Sequence, residues 1–185
     1  RRPVAGGDEV VLLDLQAVHD ASGSAYTRDG LLEVSPDGRV LAWSVDLEGD
    51  ELYTMRFRSL DSGDDLDEVI PETYYGGAWA ADSSAFLYVR CDHAMRPYQV
   101  WCHVLGTPVS DDRLLLEDLD ERLEYDFGST RSGRYAVATL AGRGFTEVAL
   151  LDLHDLSAGP VVLRPREVDV EYHVEHAPGY GADGA

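Results

Sequence analysis

The chain has 185 residues, 44% of them hydrophobic, enough to bury a sizeable core as one large domain or two small ones. Thirty-five acidic against fifteen basic residues leave a formal charge of −20, which excludes nucleic-acid phosphate binding, a function that needs clustered cations, and favours cationic partners. No run approaches the ~18 apolar residues of a membrane-spanning helix, so no membrane partner is expected, and Cys91 and Cys102 are too few for a disulfide framework, which points to a soluble protein of the reducing cytoplasm.

In chain order, residues 10–15 form the first β-type run. A short run follows at 31–34, then Ser35-Pro36-Asp37-Gly38-Arg39, in which Pro36 pre-sets the turn dihedral and Gly38 ends a type I pattern. Next come the apolar run 40–45, the run 53–60, the turn signal Asp61-Ser62-Gly63 and a short run at 66–70. The series then starts again. Runs at 75–79 and 85–90 flank Ala80-Ala81-Asp82-Ser83-Ser84, which stands 45 positions after Ser35, and Tyr53 recurs 45 positions on as Tyr98 at the head of 98–105. Gly106-Thr107-Pro108 and a run at 113–117 complete that copy. A third consists of 125–129, the turn Thr130-Arg131-Ser132-Gly133-Arg134, the runs 135–140 and 146–153, His154-Asp155, and 161–163.

Four short strands in each 45–50 residues match the count and period of a β-propeller blade. The expected fold is therefore all-β, a partial β-propeller of about three complete four-stranded antiparallel blades plus parts of the flanking blades. Its divisions fall at 1–28 (outer strand of a preceding blade and linker), at 29–72, 73–118 and 119–165 (whole blades), and at 166–185 (start of a following blade). Apolar residues occupy successive positions in the inner runs, as when both faces pack on neighbours, and no long 3.6-residue period predicts more than a little helix. Residues 10–15 read as the outer strand of the preceding blade, and 170–176 fall where an inner strand of the following blade begins. Three blades cannot close a ring, so the chain is expected to be part of a larger propeller, and its uncovered faces are expected to make it self-associate in isolation.

A hydrolase nucleophile needs G-x-S-x-G on a strained strand-to-helix turn, and the nearest fragments, Gly23-Ser24 and Ser132-Gly133, read as ordinary loops. There is no phosphate-binding loop, dinucleotide fingerprint or H-E-x-x-H, so no catalytic residue, cofactor or metal is expected. His173 and His176 would point to opposite faces of a strand, which keeps one ion from taking both. Cys91, His93, Cys102 and His103 fit no established zinc spacing. If Pro97 turns a hairpin, Cys102 pairs near Leu87, too far from Cys91 for a disulfide. Inner propeller strands line the central channel, and the acids there are Glu33, Glu124, Asp126, Glu171 and Glu175. Glu124, Asp126, Glu171 and Glu175 are the expected substrate-channel residues, Glu124 and Asp126 sharing a face by the strand period, with a merely solvated blade edge as the competing reading. The total lack of Lys and Asn, with every basic residue an Arg, offers a codon-bias explanation for part of the composition.

Pro97-Tyr98-Gln99-Val100-Trp101, His103 and Gly106-Thr107-Pro108 resemble the propeller of oligopeptidase B-type enzymes in the prolyl oligopeptidase family of serine peptidases. Glu33-Val34-Ser35-Pro36-Asp37-Gly38, the stretch 53–63, Trp79 with Asp82, and 148–152 fall in matching order, so the resemblance covers roughly residues 10–180. Cys102 departs from the pattern, standing where Arg or Lys is expected on the surface. The resemblance implies a cytosolic peptidase cleaving short peptides after Arg or Lys, its propeller of roughly seven blades capping a C-terminal α/β-hydrolase domain. The catalytic Ser, Asp and His of such enzymes lie in that domain, so none is carried over. Expected partners are thus short basic peptides and the hydrolase domain of the same parent. A free-standing propeller serving as an interaction scaffold is the alternative, and a metal enzyme built on the His and Cys residues is a third reading.

Overall fold

Three copies of one turn organise the computed structural model, which describes residues 9–179. In the first, Ser35 N–H donates to Val40 O at 2.8 Å and Gly38 N–H to Ser35 O at 2.8 Å. Ala80, Ser83 and Ala85 repeat that pattern in the second turn, and Thr130, Gly133 and Tyr135 in the third. The fourth residue of each has a positive φ, 74° at Gly38, 64° at Ser83 and 68° at Gly133. Glycine adopts that conformation without steric cost, whereas Ser83 bears some strain.

Each turn joins the first two strands of a sheet. The first sheet contains β1 (Arg28–Val34), β2 (Val40–Asp46), β3 (Tyr53–Ser59) and β4 (Asp65–Thr73). The second contains β5 (Gly77–Trp79), β6 (Ala85–Cys91), β7 (Pro97–Val104) and β8 (Arg113–Glu117), and the third β9 (Glu124–Ser129), β10 (Tyr135–Gly142), β11 (Phe145–Asp152) and β12 (Val161–Arg164). All three are four-stranded, antiparallel meanders in chain order, the blades of a partial β-propeller. The first strands of successive blades touch, β1 with β5 and β5 with β9.

The core lies between blades. Met55, Phe57 and Ile70 of the first blade meet Trp79, Phe86 and Tyr88 of the second, with Phe57 edge-on to Trp79 and Phe86 at 5.9 and 6.0 Å. Trp79 Nε1 also donates to Glu33 O at 3.0 Å, joining the two inner strands. Leu87, Val89 and Val100 of the second blade meet Tyr125, Phe127 and Leu140 of the third. A buried polar link supports the first junction: the His103 ring stacks on Phe57 at 5.6 Å, its Nδ1 lies 2.7 Å from Asp112 Oδ1, and the Tyr88 hydroxyl donates to Asp112 Oδ2 at 2.8 Å. Burial and that hydrogen bond push the Tyr88 hydroxyl pKa up.

Both ends differ from expectation. Residues 10–15 are not a strand; helix α1 (Leu15–Ser22) starts there, with Asp14 accepting from Gln16 and Ala17 N–H at its N-terminus and Gly23 ending it at φ 68°. These caps, together with Leu12, Leu13 and Val18 packing on Leu41, Trp43 and Val45 of the first blade, outweigh the strand-like apolar run. Residues 171–177 also form no strand, because no partner strand for them is present among the described residues. Val170 makes a single parallel bridge to Phe145, and Tyr172, Val174 and His176 are half-buried while Glu171, His173 and Glu175 are exposed. Residues 1–8 and 180–185 of the two end divisions lie outside the described residues.

Candidate functional site

Strand β9 starts the third blade at its inner edge, and its alternation decides what faces the core: Tyr125 and Phe127 are buried, Glu124 and Asp126 exposed. Opposite them on β10 stand Ala141 and Thr139. Neither carboxylate makes a hydrogen bond or ion pair among the described residues, in contrast to most acids nearby. The Glu124 charge reaches back to the second blade, where it adds to the rise in the pKa of Tyr74 and of Cys91. Burial is the main cause in both cases and pushes the Cys91 thiol up to about 12, so Cys91 stays a thiol.

Both acids line a hollow of about 330 Å³ with Tyr74, Tyr75 and Pro97. Tyr75 packs its ring 4.9 Å from Tyr74 and 5.0 Å from Tyr53, to whose hydroxyl its own is bonded, so it is held rigidly although 37% exposed. A second hollow of about 610 Å³ shares Glu124 and Ala141 with the first and extends outward between the hairpin 92–96, the connection 121–123 and Arg143. Arg96, which lines that hollow, is committed: it pairs with Asp92 at 2.8 Å and donates to the carbonyls of Asp118, Asp120 and Leu123. Arg122 is held by Asp120, whose carboxyl its guanidinium keeps well below the usual carboxylate range. Arg143, at the tip of the β10–β11 hairpin, has no hydrogen bond or ion pair among the described residues.

The other two expected channel residues lie elsewhere. Glu171 stands between Val170, bonded to Thr146 N–H on β11, and Tyr172, whose hydroxyl is 3.0 Å from Val148 N and from Arg164 O. Glu175 Oε1 accepts from Arg131 N–H in the third turn, beyond the opposite end of β9 from Glu124. The structure thus brings Glu124 and Asp126 together and keeps Glu171 and Glu175 apart from them. Glu33, on β1, has its carboxyl pKa raised by burial. Tyr74, Tyr75 and Arg143 were not anticipated from sequence; the Tyr-Tyr-Gly run before β5 and the Gly-Arg-Gly hairpin are the signals that mark them.

Chemically, the site offers charge and aromatic surface. The Ser132 hydroxyl does lie 2.8 Å from His176 Nδ1, but it also contacts Thr130 Oγ1 and accepts from Arg134 N–H, as a turn hydroxyl does. Among the described residues no carboxylate orients that imidazole, which instead meets Tyr135 edge-on. Cys91 and Cys102 are both free, and Cys102 is buried opposite Leu87, away from the surface position the resemblance implied. Among the described residues no three His, Cys, Asp or Glu side chains gather as a metal site, and no helix is long and apolar enough to cross a membrane.

Residues 1–180 match the family described as prolyl oligopeptidase, N-terminal beta-propeller domain. Dipeptidyl aminopeptidase BI of Pseudoxanthomonas mexicana is 34% identical over 93% of this chain, and Protease 2 of Moraxella lacunata 25% identical over 91%. Oligopeptidase B from Leishmania major superposes with a TM-score of 0.85 at 26% identity over 94% of the chain, and that from Trypanosoma brucei, with covalently bound antipain in a closed form, at 0.83 and 28% over 95%. The chain spans 24% of the length of each of these relatives.

Proposed function

The chain belongs to the prolyl oligopeptidase family as part of its N-terminal β-propeller domain, and from that premise we propose that it is the non-catalytic propeller segment of a cytoplasmic, oligopeptidase B-like serine peptidase. In this reading the propeller admits short peptides to a C-terminal α/β-hydrolase domain of the parent polypeptide and favours those cleaved after Arg or Lys. The observation that carries it is the pair Glu124 and Asp126, uncommitted carboxylates on an inner strand of a chain with a net charge of −20. Such a pair, beside low-dielectric walls, raises the local concentration of cationic peptides without touching the bond that breaks.

The test is kinetic, on the parent enzyme. Replacing Glu124 with Gln and Asp126 with Asn is expected to lower kcat/KM for a blocked dibasic reporter peptide roughly three- to tenfold at low salt. The loss should shrink as salt rises, because exposed charges are screened beyond ~10 Å at 0.1 M. An equal loss at every ionic strength, or no cleavage of dibasic reporters by the parent, would overturn the reading.

The relative at 34% identity favours a second reading, an exopeptidase that removes dipeptides from a free amino terminus. An ammonium group is as suitable a cation for Glu124 and Asp126 as an Arg side chain. Acetylating the amino terminus of the reporter separates the two: cleavage that survives supports the first reading, cleavage that vanishes the second.

A further inference from the structure

The two hollows that meet at Glu124 form a trough, acidic in its inner part and of mixed charge in its outer part. Its inner part carries Glu124 and Asp126 beside the ring of Tyr75; its outer part is lined by Arg143 and by the exposed carboxylate of Glu121, neither of which has a hydrogen bond or ion pair among the described residues. The remaining cations of the trough are accounted for, Arg96 by Asp92 and three carbonyls and Arg122 by Asp120, so Arg143 is the guanidinium left to meet an anion. Register sets the spacing. Glu124 stands opposite Ala141, and Arg143 lies two positions further along the same hairpin, at ~3.3 Å per residue about 7 Å away along the strand.

An extended peptide advances by the same ~3.3 Å per residue, so two residues of ligand span that interval. We propose that the trough between the second and third blades is a peptide-binding subsite. It takes an extended segment with a basic side chain at Glu124 and a free C-terminal carboxylate two residues later at Arg143. The segment upstream of the basic residue lies along Tyr74, Tyr75 and Asp126. Both contacts are charge-assisted, and the guanidinium at the tip suits a carboxylate in a bidentate geometry. Because the uncommitted guanidinium lies in the outer part, the ligand has one direction: carboxyl terminus toward Arg143, amino terminus toward the inner strands. The inference rests on the peptidase reading for its ligand class, but it concerns binding to this chain and not hydrolysis.

The experiment is titration of the 185-residue chain with four peptides, followed by calorimetry at low salt. Acetyl-Ala-Arg-Ala-Ala is compared with its C-terminal amide, with the citrulline version, and with the citrulline amide. The free acid is expected to bind roughly fivefold more tightly than its amide, and the Arg peptide to outbind the citrulline one by a similar factor. Arg143→Gln should abolish the first difference and leave the second; Glu124→Gln should do the reverse. Both residues are exposed, so neither variant strains the fold. Equal affinity for all four peptides, no saturable binding in the millimolar range, or variants that weaken every peptide alike would overturn the proposal. Because no bond is cleaved, such a failure would leave the salt-dependent kinetics of the parent untouched. Conversely, a parent that fails to cleave dibasic reporters would still be compatible with selective binding here.

Discussion

Gly76 of the second blade approaches the carbonyl of Phe127 in the third so closely that a Cβ built on it collides with that oxygen, and Gly76 itself sits at φ 87°. Both facts require glycine: the left-handed conformation costs an L-residue ~1–2 kcal/mol, and the clash is with backbone, which cannot swing aside. Gly76→Ala is therefore expected to destabilise the chain by about 2 kcal/mol or more in denaturant unfolding. Gly128, on the same inner strand, has open space at its Cβ position and no positive φ. Gly128→Ala should change stability by less than about 1 kcal/mol, in the stabilising direction. Equal losses at the two positions would show that the close approach to Phe127 is not what Gly76 serves.

Asp46 tests a different link, from local hydrogen bonding to pH dependence. Its carboxylate is buried at the end of β2 and accepts from the N–H groups of Gly49 at 2.7 Å, Glu48 at 2.9 Å and Glu51 at 3.0 Å. Burial alone pushes its pKa up, but these donors outweigh burial and hold it below the ordinary value. A carboxyl with a depressed folded pKa contributes stability above its unfolded value, about 3.9, and loses it as pH falls through the folded one. The stability gap between the parent chain and Asp46→Asn should then be widest near neutrality and narrow steadily below about pH 4. A gap of constant size from pH 7 to acid would mean that the ionised form is not what the loop 47–51 is built around.

How much of this was readable beforehand differs by element. The three turns were legible because the first and third place Ser or Thr at the first position and Gly at the fourth, and the second keeps their length and spacing although Ala80 and Ser83 hold those positions. Helix α1 was not, since its signals are the caps Asp14 and Gly23, while Leu12, Leu13 and Val18 make too short a pattern to distinguish a helix from a strand. Glu124 and Asp126 followed from a period of two on a strand that does form. Glu171 and Glu175 belong to a segment that forms no strand in this chain, so the same periodicity could not place them at the inner edge. Arg143 escaped notice because its significance depends on what its neighbours are already bonded to, which no spacing reveals.

The buried link between the first two blades predicts an asymmetry. Asp112 accepts from Tyr88 and contacts His103, which is fully buried and whose Nε2 has no partner. Asp112→Ala would leave the Tyr88 hydroxyl and both imidazole nitrogens without partners, a loss expected to cost about 3 kcal/mol. Replacing His103 and Asp112 together with Leu removes most of those stranded groups, so the double variant should be more stable than Asp112→Ala alone. Thermal unfolding of the unmutated chain, Asp112→Ala, the two single Leu variants and the double Leu variant measures this, and simple additivity of the His103→Leu and Asp112→Leu losses would show that the residues do not act as a unit.

The open ends of the array lead to the last expectation. On the first blade, Leu31 packs toward the second blade, while its neighbours Leu32 and Val34 remain 49% and 45% exposed. They join Val10, Val11 and Leu41 around an apolar hollow of about 540 Å³ that residues 9–13 border. At the other end Val161, Val162 and Leu163 of β12 stay 47–58% exposed. A few hundred Å² of such surface at roughly 25 cal/mol per Å² is worth several kcal/mol before the cost of association is subtracted, which favours self-association of the isolated chain at micromolar concentration. Leu32→Glu with Val34→Glu should shift it toward monomer in sedimentation, because two carboxylates would then have to be desolvated in the contact. Since each blade touches only its neighbours, amide exchange should be slowest in β6 and β7 of the middle blade and fastest in β12. An unmutated isolated chain that sediments as a clean monomer, with uniform protection across all three blades, would show that α1 and the residues after β12 already close the array.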